Sequence, residues 1–200
     1  KYSMCIADGG HIVLEGVKKC LNFLSNEKET IAVSGKTFLF EFGKNNIKSI
    51  SHYEMPICIE DSPLERFQKI CSDYRVPMYC LMRSNTWGEI WKNSDLIPEQ
   101  SFSSEIIPAL KLALKGKIKQ INAPYLLREI HPKRVNLIKG KDFKNSETYD
   151  KTIISSLTDL INEANSLDSR IEPEDIKQSF KLFLKKYYES SDLKIGLRSN

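Results

Sequence analysis

Apolar runs alternate with amphipathic segments along the first ninety residues of the chain. Four short apolar runs have the length and composition of strands: residues 12–14, 30–33, 55–59 and 76–82. Residues 17–24 and 63–74 lie between such runs and carry apolar side chains at helical spacing. Residues 36–42 suit either a strand or the start of a helix. Alternating strands and helices predict a mostly parallel sheet that is flanked by helices.

The second half of the chain has a different pattern, which predicts helices rather than strands. Residues 104–114 and 152–164 carry apolar stripes at helical spacing, and Pro173 opens a further helix. An irregular basic tract lies at residues 115–144. We therefore expect an α/β core at residues 1–100 and a helical C-terminal extension at residues 101–200, packed on that core.

Composition and charge narrow the class of protein. With 40% hydrophobic and 28% charged residues, the chain has the composition of an ordinary soluble globular protein. No apolar run approaches the roughly 20 residues that a membrane span needs, so we expect no membrane partner. The chain begins at Lys1 without a signal-peptide pattern, which is typical of a piece of a longer protein or a trimmed one.

Cysteine usage indicates the cellular compartment. Five cysteines lie at positions 5, 20, 58, 71 and 80, and no two of them form a CxxC pair. The last four lie within apolar patterns, as small buried side chains do, which favours a reducing, cytoplasmic environment.

A carboxylate follows the first apolar run directly. Burial disfavours a charged carboxylate, so Glu15 at the end of a core strand would be costly unless it served a function. In open α/β sheets, ligands bind at the carboxyl ends of the strands, and Gly16 would let the backbone approach a ligand closely. The alternative is an acidic side chain at the end of a strand that simply faces solvent.

A second pair of acids, Glu60 and Asp61, follows the third apolar run. These acids precede a helix start in which Ser62 is a good N-cap, Pro63 suits the first position and Glu65 completes a capping box. They have two explanations: ligand binding at a strand end, or favourable electrostatics at the helix N-terminus.

Three stretches of this pattern resemble Toprim domains. HIVLEG at residues 11–16 resembles the first Toprim motif, an apolar strand ending in Glu-Gly. TIAVSGKTFLFEF at residues 30–42 is similar to the second strand of the nuclease-type members, and MPICIEDSPLERFQKI at residues 55–70 to the third block. The resemblance is greatest to the OLD-type (overcoming lysogenization defect) nucleases and related defence-associated Toprim effectors, whose helical C-terminal part resembles residues 170–184.

This resemblance implies a metal-dependent nuclease that cleaves DNA or RNA in anti-phage defence or nucleic-acid processing. Clustered carboxylates would hold Mg²⁺ or Mn²⁺, which activates water and stabilises the leaving oxygen. The implied metal ligands are Glu15, Glu60, Asp61 and Glu89. The implied catalytic residues are Glu15, Asp61 and Lys141, with Lys139 as the alternative cation. An ATPase domain or subunit and a second copy of the chain are the implied protein partners.

The chain departs from the Toprim pattern at two places. The third block has Glu60-Asp61 where the family has two aspartates separated by one residue, and residues 83–85 are Arg-Ser-Asn where an aspartate is expected. The first alternative is therefore a degenerate, non-catalytic Toprim-like module that binds a partner protein or nucleic acid.

The second alternative is a PD-(D/E)xK-like nuclease, whose candidate residues are Glu29, Glu41 and Lys44. Glu41 and Lys44 are three positions apart, which would place them on opposite faces of a strand. The signal is therefore weak.

The basic tract is the predicted nucleic-acid-binding surface, because cations are dense there and matching acids are lacking. The predicted contacts are Lys115, Lys117, Lys119, Lys133, Arg134, Lys139 and Lys141. A solvated basic loop is the ordinary alternative.

Overall fold

The computed structural model describes residues 1–6, 8–44, 46–130 and 146–196, with side chains up to residue 188. It divides into two compact units, each built from separate stretches of chain. Described residues within 1–59, 75–87 and 116–130 form unit 1, and those within 60–74, 88–115 and 146–196 form unit 2. The chain is a mixed α/β protein, as the sequence predicts.

Unit 1 is built on a six-stranded sheet. Its strands are β1 (Tyr2–Ser3), β2 (Gly10–Ile12), β3 (Thr30–Phe42), β4 (Ile47–Tyr53), β5 (Leu81–Arg83) and β6 (Lys117–Glu129). The order is β1-β5-β3-β6-β2, and β4 also pairs with β3. Strands β3 and β6 are parallel, whereas the other pairs are antiparallel.

The prediction of a mostly parallel sheet is therefore wrong. A tight turn leads from β3 into β4, with the Gly43 amide donating to the Asn46 carbonyl oxygen at 2.7 Å, so β4 must run antiparallel to β3. Residues 36–42 continue β3 as a strand. Residues 55–59 contribute only an isolated bridge between Cys58 and Ile118, not the predicted strand.

Strand β6 was not predicted, because it lies where we expected a helical extension with an irregular basic tract. Pro124 argued against a strand here, because proline within a strand is confined to edges and irregular positions. The β3–β6 register shifts on both sides of Lys36, which pairs with Pro124. Proline is thus tolerated in this central strand because the strand pairing is irregular at that position.

The core of unit 1 lies between helix α1 (Leu14–Asn26) and the sheet. Cys20 and Leu24 of α1 pack with Val33, Tyr125 and Leu126. Burial raises the pKa of Cys20 and of Cys80 to about 12, so both remain neutral thiols. The predicted burial of the four later cysteines is confirmed.

Unit 2 is helical in its described residues. The remaining helices in the described part of the chain are α2 (Pro63–Ser72), α3 (Ser84–Ile90), α4 (Ile107–Lys115), α5 (Tyr149–Leu167) and α6 (Pro173–Gly196), with short 3-10 helices at Pro77–Tyr79 and Ser94–Leu96 and a π-helical segment at Phe102–Ile106. The helices predicted near 104–114, at 152–164 and from Pro173 are confirmed. No helix in the described part of the chain is long and apolar enough to cross a membrane.

Candidate functional site

Glu15 lies in the first turn of α1 and is exposed. The prediction that residues 12–14 form a core strand with Glu15 at its end is wrong, because β2 ends at Ile12 on the edge of the sheet and the helix begins at Leu14. An acid in the first turn of a helix is favoured by the helix dipole, which accounts for Glu15 without a ligand.

Gly16 has a packing role. A Cβ atom at this position would lie 1.8 Å from the carbonyl oxygen of Pro124 in β6. The amide of Val13 also donates to the Tyr125 carbonyl oxygen at 2.9 Å. The Glu-Gly pair, which resembles a Toprim motif in sequence, is therefore where α1 begins in close contact with the sheet.

Glu60 and Asp61 precede α2, and their main chain is held by a buried arginine. The guanidinium group of Arg66 donates to the carbonyl oxygens of Glu60 at 3.0 Å and Asp61 at 2.7 Å. It also donates to those of Ala113 and Leu114, at the end of α4. The acidic pair thus lies on a fixed backbone.

The capping box at the start of α2 is confirmed. Ser62 Oγ accepts from the Glu65 amide at 3.1 Å, and the Glu65 carboxylate accepts from the Ser62 amide at 3.3 Å. Glu60 and Glu65 line an open cavity of about 610 Å³ beside α2 and α6.

Glu89 is engaged with a lysine rather than with other acids. Its carboxylate lies 3.0 Å from Lys115 Nζ, and Glu163 approaches the same Nζ at 2.7 Å. Burial lowers the pKa of Lys115, but hydrogen bonds to Glu163 and Glu89 outweigh it, so the pKa lies above its ordinary value. Lys115 is therefore a charged partner within an ion-pair network.

The other described lysines of the predicted nucleic-acid surface also have acidic partners. Lys117 Nζ lies 2.9 Å from Glu29, and Lys119 Nζ lies 3.1 Å from Glu27 and over the Phe23 ring. The expectation that this tract lacks matching acids is wrong, since the acids come from distant parts of the sequence. Lys133, Arg134, Lys139 and Lys141 lie outside the described residues.

The implied metal ligands are divided between the two units. Glu15 belongs to unit 1, whereas Glu60, Asp61 and Glu89 belong to unit 2. Among the described residues, no group of three histidine, cysteine, aspartate or glutamate side chains is placed to hold a metal ion. Both acids of the second nuclease alternative also have ion-pair partners, because Glu41 binds Lys48 at 2.9 Å and Glu29 binds Lys117.

The β3–β4 hairpin carries an apolar surface that we did not predict from the sequence. We call it the hairpin apolar face, and it comprises Phe38, Phe40, Phe42, Ile47 and Ile50. Alternation along β3 places the three phenylalanines on one side, and the register sets Phe40 opposite Ile50 and Phe42 opposite Ile47. The rings of Phe40 and Phe42 meet edge to face at 5.1 Å.

The outer part of this face is open to solvent. Phe42, Ile47 and Ile50 are 55%, 52% and 65% exposed, respectively. Histidine rings flank the face, since His11 lies 6.0 Å from Phe40 and His52 lies 5.7 Å from Phe38. The signal in the sequence was the alternation in FLFEF, which predicts a strand with one apolar side.

Comparison with profiles of known protein families finds no match to this chain, and comparison with curated protein sequences finds none either.

Proposed function

We propose that this chain is a protein-binding module, which docks another polypeptide on the hairpin apolar face. One observation carries the proposal: three large apolar side chains at the end of the hairpin are each more than half exposed. Scattered exposed apolar residues are normal on protein surfaces, but a contiguous group is typical of an interaction site. This is the partner-binding form of the non-catalytic alternative.

Burial of this face would supply a useful binding free energy. Covering the exposed parts of Phe42, Ile47 and Ile50 would contribute about 1 to 2 kcal/mol apiece, part of which offsets the cost of association. The inner side of the face is already packed, since Phe40 is 8% exposed. A partner would therefore meet a largely preformed surface.

The described lysines favour a protein partner over nucleic acid. Lys115, Lys117 and Lys119 each lie within 3.1 Å of a carboxylate oxygen. A phosphate would have to displace those carboxylates before it gained a contact, which reduces the benefit of counterion release. These three lysines thus already have acidic partners within the fold.

The Toprim-like, metal-dependent nuclease stays a prediction. Its first motif has an explanation in packing at Gly16, and Glu89 has an explanation in its ion pair with Lys115. The PD-(D/E)xK-like alternative also stays a prediction. Its Glu41 likewise has a structural explanation, because its carboxylate is bound to Lys48. Binding of an ATPase domain is one form of the proposed protein interaction.

Site-specific photo-crosslinking in the native host tests the proposal. A photoreactive amino acid at position 50 should link the chain to a discrete polypeptide. Ile154 of α5 is the matched control, because it is also an isoleucine that is 65% exposed. Ile47→Lys should abolish the link from position 50. A link from position 50 no stronger than that from position 154 would refute the proposal.

A further inference from the structure

Strand β4 lies at an edge of the sheet that the described residues form. Among the described strands, β4 pairs with β3 alone, and six of its seven residues are exposed. The outward-facing backbone N–H and C=O groups around Ile50 therefore have no strand partner in the described sheet. An edge of this kind accepts a further strand, which supplies main-chain hydrogen bonds and apolar contacts together.

The sequence of β4 is compatible with pairing to its own copy. Antiparallel pairing about a two-fold axis places position 50, the midpoint of Ile47–Tyr53, opposite itself. The side chain there is the 65% exposed Ile50, so two apolar side chains would meet at the axis. Ser49 would lie opposite Ser51 of the second copy, and these small side chains leave room for close approach.

Two features that commonly protect strand edges are present but have limited effect here. A register irregularity lies between Glu41 and Phe42, which affects the start of β4 and leaves the part around Ile50 regular. Lys48 contributes a charge, but its Nζ is bound to Glu41 within the same hairpin at 2.9 Å. This ion pair compensates part of the charge that would repel a second strand.

We propose that two copies of this chain associate through β4, which joins their sheets edge to edge and continues the hairpin apolar face across the two-fold axis. This inference rests on the proposed function and names the partner: the bound polypeptide is a second copy of the chain, which pairs with β4 beside the hairpin apolar face and contacts that face at Ile50. It commits to a symmetric contact centred on Ile50.

Sedimentation velocity on the whole chain over a concentration series tests the association. The wild-type chain should shift from monomer to dimer as its concentration rises. Ile50→Lys should weaken that association by about a hundredfold, because it removes two apolar contacts and places like charges at the axis. Ile154→Lys, with the same chemistry at equal exposure, should leave it unchanged. A wild-type chain that stays monomeric, or equal effects of both variants, would overturn the proposal.

A cysteine trap tests the symmetric register. In a Cys5→Ser background, which removes the exposed native thiol, Ile50→Cys should form a disulfide-linked dimer on mild oxidation. Opposed residues in antiparallel strands lie within disulfide reach. Ile154→Cys should give no such dimer at the same concentration. A dimer in sedimentation without the linkage at position 50 would place the contact elsewhere and overturn the β4 assignment.

Failure of this inference is distinguishable from failure of the proposed function. A monomeric chain whose position 50 photo-crosslinks to a different protein would overturn self-association and support the protein-binding role. A monomeric chain with no specific crosslink at position 50 would overturn both.

Discussion

The buried lysine of unit 2 offers the sharpest test of what stabilises this fold. Lys111 is 1% exposed, and its Nζ lies 2.9 Å from Asp159 Oδ2 and 2.8 Å from the Lys92 carbonyl oxygen. Glu163 approaches at 3.9 Å. We expect Lys111→Met to destabilise the chain, because it keeps the length of the side chain but removes the cation that compensates a buried carboxylate.

The magnitude follows from what the change leaves behind. Removing one member of a buried ion pair commonly costs about 3 to 5 kcal/mol, because the other charge remains buried without compensation. Asp159 would keep a hydrogen bond from Asn93 Nδ2 at 3.0 Å, and Glu163 would keep Lys115. We therefore expect a loss near the lower end, about 3 kcal/mol of unfolding free energy.

Urea unfolding followed by circular dichroism measures the effect. Lys151→Met is the matched control, since Lys151 is an exposed lysine on α5 and its replacement should change stability by less than about 0.5 kcal/mol. The double variant Lys111→Met/Asp159→Leu should recover most of the loss, because it removes both charges. A Lys111→Met variant as stable as Lys151→Met would refute the reasoning.

Three further outcomes can be measured. Gly16→Ala should lower the free energy of unfolding by roughly 3 kcal/mol or prevent folding, because the added methyl group meets a carbonyl oxygen of β6. Gly88→Ala is the control and should be tolerated, because no atom lies within 4 Å of the added methyl group. Equal urea midpoints for the two variants would contradict this prediction. The pKa values of Cys20 and Cys80 rise on folding from 9.0 to about 12, so a rising pH ionises these thiols first in the unfolded chain. The free energy of unfolding should therefore fall between pH 9 and 12. A free energy of unfolding that stays flat in this window would contradict the prediction. If the implied nuclease site exists, Mg²⁺ or Mn²⁺ should raise the melting temperature and Glu15→Gln should abolish the rise, whereas a wild-type melting temperature indifferent to both ions would contradict the metal prediction.

Local chemistry was readable from the sequence alone. The start of α2 is specified by Ser62, Pro63 and Glu65, and the expected reciprocal hydrogen bonds form there. These contacts join residues three positions apart, so they depend little on the rest of the chain. The apolar stripe of α5 is equally local, since helical spacing alone places its side chains on one face.

The chemistry assigned to Glu15 depended on tertiary structure. A short apolar run followed by Glu-Gly fits a strand end and also fits a helix start, and local pattern does not separate them. The decision comes from β6, more than a hundred positions away, whose backbone lies against Gly16. Tertiary structure likewise decided which acids pair with Lys117 and Lys119, because their glutamate partners lie 88 and 92 positions away in sequence.

The hairpin apolar face separates what the sequence determines from what tertiary packing determines. Alternation in FLFEF determined that one side of β3 is apolar, because side chains of a strand point to opposite faces in turn. Whether that side becomes core or surface depends on which other elements cover it. Tertiary packing buries Phe40 but leaves Phe42 and Ile50 exposed, and this difference makes the hairpin a candidate for binding.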